Sequence, residues 1–187
     1  MEANFQNHKN KMLCQIKEQY GKLLYSYTCH WGTANHLKTR AAFFQWLQII
    51  LSAISAGGCI AAIVQDQAKL AWIGGVLSTL LLVVGGYLKD KDFDLERNKH
   101  INTANKLWVL REEYISLMTD YDHISEDEII RKRDDLLKKT AKVYELAPQT
   151  DRRSYLEAQK ALKENEVQFF DKNELNCMLP EHLRCNE

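Results

Sequence analysis

Charge is absent from two long stretches of this chain and dense almost everywhere else. Residues 41–64 form 24 consecutive uncharged positions, and residues 70–88 form 19 more. Each run holds ten residues drawn from Leu, Ile, Val and Phe. The hydrocarbon core of a bilayer is about 30 Å thick and takes roughly 20 helical residues to cross, so both runs are long enough. At roughly −0.3 to −0.6 kcal/mol per large aliphatic or Phe residue near the centre, they outweigh the scattered Gln, Ser and Gly. A buried hairpin inside a soluble bundle would instead show a strongly polar face on each helix, and these runs largely lack one. The first run starts at residue 41, too far in for a secretory signal.

Only Gln65-Asp66-Gln67-Ala68-Lys69 separates the runs, which predicts a tight antiparallel hairpin with both termini on one side. Lys22, Lys38, Arg40, Lys89, Lys91, Arg97, Lys99 and Lys106 flank that side, against Lys69 alone in the turn. This asymmetry predicts that both termini are cytosolic. Phe43, Phe44, Trp46 and Tyr87 fall near the inner boundary and Trp72 near the outer one. The expected class is an all-α membrane protein: a two-span transmembrane helical hairpin with a cytosolic helical stalk and bundle. Its expected parts are an amphipathic cytosolic helix (1–40), the hairpin (41–88, with spans 41–64 and 70–88) and a C-terminal cytosolic helical region (89–187).

Before the membrane, Leu13, Ile16, Tyr20, Leu23, Tyr27, His30, Ala34, Leu37 and Ala41 recur in steps of three and four. That spacing keeps one seam facing a partner helix, and only His30 on it is strongly polar. The helix should run into the first span, weakened by Gly21 and Gly32. Past the second span, Lys89 to about Thr119 reads as one helix. One stripe on it is Leu107, Leu110, Tyr114, Leu117 and Tyr121; its neighbour is Ile101, Ala104, Trp108, Ile115 and Met118. The hairpin brings this helix beside the N-terminal one, so the two can bury each other as a stalk. Ser125-Glu126-Asp127-Glu128 is a capping box. It starts a helix that stops before Pro148, with Ile129, Leu136, Leu137, Val143, Tyr144 and Leu146 on its buried face. A further helix is expected from about Thr150 to Glu164, then a less regular apolar tail through Phe169, Phe170, Leu175, Met178 and Leu179.

Composition adds exclusions. The chain has 187 residues and a mean hydropathy of −0.40, an average that conceals the two apolar runs. Its 25 basic and 25 acidic residues cancel, so no global field argues for direct nucleic-acid binding. Five cysteines without a C-x-x-C pair read as reduced thiols rather than a disulfide framework. Cys29, His30 and His36 make an incomplete metal set, since a spacing of six does not share a helix face. No phosphate-cradling loop, nucleophile elbow or metalloprotease motif is present, and neither an enzyme nor a cofactor is expected. Arg131, Lys132 and Arg133 offer a patch for an anionic ligand or headgroup, or else solvated charge balanced by Glu128, Asp134 and Asp135.

The more informative pattern lies inside the first span. Gln45, Gln48, Ser52, Ser55, Cys59 and Ala62 are spaced three, four, three, four, three. Polar side chains are costly in hydrocarbon and should face protein or water. Gln45, Gln48, Ser52 and Ser55 therefore line a pore between assembled hairpins, or else pack against the second span of the same chain. Gly57, Gly58, Gly75, Thr79 and Gly86 are candidate helix-packing positions suited to close backbone approach.

This layout resembles the SLATT domain, a family of bacterial two-span membrane proteins. The segment His100-Ile101-Asn102-Thr103-Ala104-Asn105-Lys106-Leu107-Trp108-Val109-Leu110-Arg111 is similar to the family's post-membrane helix. Leu146-Ala147-Pro148 with Tyr155 and Ala158, and Leu179-Pro180-Glu181-His182-Leu183-Arg184, are similar to its later stretches. The resemblance implies an antiviral-defence effector of the bacterial inner membrane. It would oligomerise and breach that bilayer when a nucleotide-signal synthase, a sensor or a reverse transcriptase partner, or a nucleotide signal, triggers it. The alternative expectation is a passive membrane-anchored scaffold that recruits a soluble partner.

Overall fold

The structure is a computed structural model, which describes the backbone of residues 2–65 and 68–165, and then 167–168, 171, 174, 177–178 and 180. The side chains of residues 1–6, 59–68, 70 and 71 lie outside that description, as do the turn positions Asp66 and Gln67 and most of the apolar tail. Among the described residues five helices carry the fold: α1 (Glu2–Gln65), α2 (Ala68–Asp90), α3 (Phe93–Thr119), α4 (Glu126–Leu146) and α5 (Arg152–Lys163).

Helix α1 runs 64 residues without a break, about 96 Å at 1.5 Å per residue. Gly21 and Gly32 do not interrupt it. An interior glycine costs about 1 kcal/mol relative to Ala, which burial along the seam offsets. On that seam Ile16, Leu23, His30 and Ala34 are buried, with Leu13, Tyr20 and Tyr27 packed beside them. The partner is α3, which contributes Ala104, Leu107, Leu110, Tyr114 and Leu117, all buried. The two helices are antiparallel: His30 meets His100, and the Tyr121 hydroxyl, just past α3, donates to the Lys9 carbonyl. The second expected stripe on α3 is only partly used, since Ala104 is buried but Trp108 remains 47% exposed.

The chain does not pass from α2 into α3 as one helix, contrary to the expectation of a helix from Lys89. It breaks at Lys91 and Asp92. Asp92 is the N-cap of α3, its carboxylate accepting from the Leu95 N–H at 2.8 Å. Asp94 and Glu96 follow in the first turn, where the positive end of the helix dipole favours them.

Helix α4 starts as its capping box indicates, with Ser125 Oγ accepting from the Glu128 N–H at 3.3 Å. It ends at Leu146, before Pro148. It runs parallel to α1, tied by His8–Glu126 at 2.7 Å and Ser26–Tyr144 at 2.8 Å. Ile129 and Leu136 are buried. Leu146 is 78% exposed, because the buried line 129–136–140–143 continues onto Ala147 instead. Helix α5 buries Ser154, Ala158 and Leu162, one residue per turn. It docks on α1 just before the first span, through Thr33–Ser154 at 2.9 Å and His36–Glu157 at 2.6 Å.

This packing sets a graded expectation. Leu107→Ala, at a fully buried seam position, costs about 2–5 kcal/mol. Leu146→Ala changes stability by less than about 0.5 kcal/mol. Chemical denaturation in detergent, followed by helicity, compares them; equal losses would contradict the seam.

Candidate functional site

Within each helix an 18-residue window is apolar enough to cross a membrane, yet only 11% of the first window and 6% of the second is buried inside the chain. These are therefore not core helices of a soluble fold. Among the described residues the contact between them is narrow. On α1, Leu51 and Ser55 are buried, with Phe44, Leu47 and Gly58 half-buried. On α2 the facing line is Gly74, Leu77, Leu81, Val84 and Leu88. Ser55 Oγ and Ser78 Oγ lie 2.8 Å apart, so these two hydroxyls satisfy each other across the hairpin.

That bond divides the polar row of the first span. Ser55 belongs to the hairpin contact, whereas Gln45, Gln48 and Ser52 are exposed. Taking Leu51 as the centre of the contact, Ser55 lies about 40° around the helix, and Gln48, Ser52 and Gln45 about 60°, 100° and 120° to the same side. The rest of the outer surface is apolar: Phe43, Trp46, Ile49, Ile50 and Ile54 are each more than half exposed. Cys59 and Ala62, which extend the row in sequence, lie outside the described side chains.

Of the small residues singled out in the sequence, only Gly58 borders the hairpin contact, and Gly57, Gly75, Thr79 and Gly86 are exposed. A methyl group added at Gly57, Gly58, Gly75 or Gly86 meets nothing within 4 Å, so none of them permits a close backbone approach within this chain. Thr79 is exposed and donates to its own helix at the Gly75 carbonyl, 3.0 Å away. The contact uses Gly74, one residue from the position the sequence singled out. Gly75, Thr79 and Gly86 instead form an outward row on α2.

Arg131, Lys132 and Arg133 do not converge on a common point. Consecutive helical residues turn by about 100°, and each cation has a carboxylate neighbour. Glu128 takes Arg131 at 3.9 Å and Lys132 at 3.3 Å, while Arg133 pairs with Asp134 at 2.8 Å.

The most unusual polar contact was only half visible in sequence. His30 stands on the apolar stripe of α1, but nothing in the pattern marked His100 as its partner. Their Nδ1 atoms are 2.9 Å apart in the buried seam. One imidazole must donate and the other accept, so at least the accepting ring must be neutral, and protonation of both rings breaks the contact. Burial, reinforced by His100, pushes the pKa of His30 down to about 4. Burial also lowers that of His100, against the pull of Glu96 on α3 and Asp151 at the start of α5. Cys29 lies next to the pair on α1, its thiol raised by burial and by Asp151. The unfolded chain thus takes up these protons more readily than the folded one. Their contribution to stability is present above the ordinary histidine pKa and is lost as pH falls from 6.5 toward 4. For His30 alone the loss by pH 5 is about 2 kcal/mol. Denaturation midpoints measured from pH 7 to pH 5 should fall in the parent and fall less in His30→Leu/His100→Leu. Equal slopes would show that the pair does not titrate in this way.

Among the described residues no three His, Cys, Asp or Glu side chains group as metal ligands. No curated protein and no solved structure matches the chain. A family model does, over residues 12–174: the SMODS and SLOG-associating 2TM effector domain family 4. The matched region begins with the seam residue Met12 and takes in both apolar helices, the α1–α3 seam, α4 and α5. The two apolar helices agree with the two spans that description names, and the chain belongs to this family of two-span effector domains.

Proposed function

We propose that this chain is a membrane effector that assembles through its hairpins and permeabilises the bacterial inner membrane when a partner or a nucleotide signal acts on its cytosolic helices. The observation that carries the reading is the exposure of Gln45, Gln48 and Ser52 on a helix surface that is otherwise apolar. Amide and hydroxyl groups in hydrocarbon seek polar partners, and the hairpin of a single chain leaves these three facing outward. A water column, or the same row on a second copy, supplies the partners. One hairpin cannot enclose water, so the reading requires a homo-oligomer. The outward row Gly75, Thr79 and Gly86 suits close approach between copies. Both termini face the cytosol in this arrangement, with Lys38, Arg40, Lys89 and Lys91 exposed at the inner end of the spans.

The family description supports the kind of trigger, because its members associate with SMODS and SLOG domains. From the family resemblance, the partners to expect are a nucleotide-signal synthase, a sensor or a reverse transcriptase. A scaffold is the second reading, favoured by one feature. Between α3 and α4 lies a groove of about 490 Å³, with Trp108 and Val109 exposed on its wall. A soluble partner docked there would be tethered to the membrane without any leak.

Dye uptake by cells overproducing the full chain separates the two. Gln48→Leu/Ser52→Leu should reduce uptake about tenfold or more, the scale expected when a conduction path loses its polar wall, with insertion and oligomer size unchanged. Ile54→Leu, off the polar row, should leave uptake at the parental level. Parental uptake in the double-Leu chain would remove the row from the conduction path. A parent that never admits dye under any trigger, yet captures a partner through Trp108, would favour the scaffold.

A further inference from the structure

A second cleft lies where the membrane part meets the cytosolic part. Its volume is about 630 Å³, and Leu37 and Arg40 of α1, Tyr87 of α2, Lys91 in the break, and Phe93 and Glu96 of α3 line it together with Asp90. Its depth in the membrane follows from the sequence. Arg40 is the last residue before the first uncharged run, and Asp90 ends α2. The cleft therefore opens at the level of the phospholipid headgroups.

Two features define its chemistry. The first is an aromatic cluster joining three helices. Phe44 lies 5.3 Å from Tyr87 and 6.0 Å from Phe93 between ring centroids, and Tyr87 lies 6.3 Å from Phe93. Aromatic rings at this depth suit the boundary between headgroup and acyl chain. The second is charge of both signs, most of it without internal pairing. Among the described residues Arg40, Lys91 and Asp90 make no ion pair, and Glu96 reaches only Lys99, at 3.3 Å. Asp92 is already engaged as the N-cap of α3.

We propose that this cleft binds the headgroup of an aminophospholipid, its phosphodiester on Arg40 and Lys91 and its primary ammonium on Asp90 and Glu96. An anionic lipid would set its charge against the two carboxylates. A choline lipid has the phosphate but no N–H to donate to them. The bound lipid bridges α1 to both sides of the α2–α3 break, and so fixes the angle at which the hairpin leaves the cytosolic seam.

Native mass spectrometry of the full chain, released from nanodiscs of equal phosphatidylethanolamine, phosphatidylcholine and phosphatidylglycerol, tests this without requiring any leak. Phosphatidylethanolamine should be retained about tenfold over each of the others, the effect of one charge-assisted hydrogen bond. Asp90→Asn/Glu96→Gln should equalise phosphatidylethanolamine and phosphatidylcholine, and Arg40→Gln/Lys91→Gln should abolish retention of all three. All of these changes are at the surface, and unchanged circular dichroism confirms that the variants fold. Soluble phosphoethanolamine should not displace the lipid, because it lacks the acyl chains that meet the aromatic cluster. Equal retention of the three lipids by the parent, retention unchanged in both double variants, or displacement by phosphoethanolamine would each overturn the assignment.

Discussion

The antiparallel packing of α1 on α3 holds this molecule together, because α1 does not end where the membrane begins. The helix that buries Ile16 and Leu23 against Leu107 and Tyr114 is the helix that carries Gln48 and Ser52 into the bilayer. Any tilt or rotation at the α1–α3 seam is passed along the helix axis to the first span. Helices α4 and α5 cover two stretches of this seam, α4 at its distal part through Ile129 and Leu136, and α5 near the membrane through Ser154. The His30–His100 contact is the polar element inside it. A buried imidazole pair fixes register, since a shift of one turn would leave two ring nitrogens without partners in an apolar seam.

The membrane part is built differently. Among the described residues its contact consists of a few aliphatic side chains, Phe44, Gly58, Gly74 and one serine–serine bond, and most of each helix surface faces outward. Lipid tails are as apolar as Leu, so burying more aliphatic surface between two helices gains little there. What distinguishes one outward face from another is polarity and side-chain size. By that criterion α1 presents an amide-and-hydroxyl face and α2 a glycine-and-threonine face, while the isoleucine face of α1 suits acyl chains. The proposed assembly between hairpins rests on this weak internal contact and these two distinctive outer faces.

Much of this was legible in the sequence, for identifiable reasons. Uncharged run length depends only on bilayer thickness, so both spans could be read directly. The apolar stripes around Ile16 and Leu107 followed from helical periodicity, and the ends of α4 from local capping chemistry at Ser125 and from Pro148. The failures are also physical. The break at Lys91 and Asp92 hid among charged residues that read as ordinary solvated helix, although an Asp cap with acidic residues in the next turn was available as a signal. The partner of His30 depends on the register between two helices seventy residues apart, which no local pattern records. Ser55 shares its spacing with Gln48 and Ser52, yet a difference of tens of degrees around the helix sends it to the hairpin and leaves them outside. The same sensitivity chose Gly74 over Gly75.

The account turns on where the outer face of the first span points in a bilayer. Single cysteines placed at each position from 43 to 54, in a chain whose five native cysteines are replaced, can be oxidised in native membranes and scored for cross-linked dimers. Cross-linking should peak at Gln45, Gln48 and Ser52 and be low at Ile49, Ile50 and Ile54, with a helical period. A peak on the isoleucine face, or no periodicity at all, would contradict the claim that the polar row meets another copy of this chain.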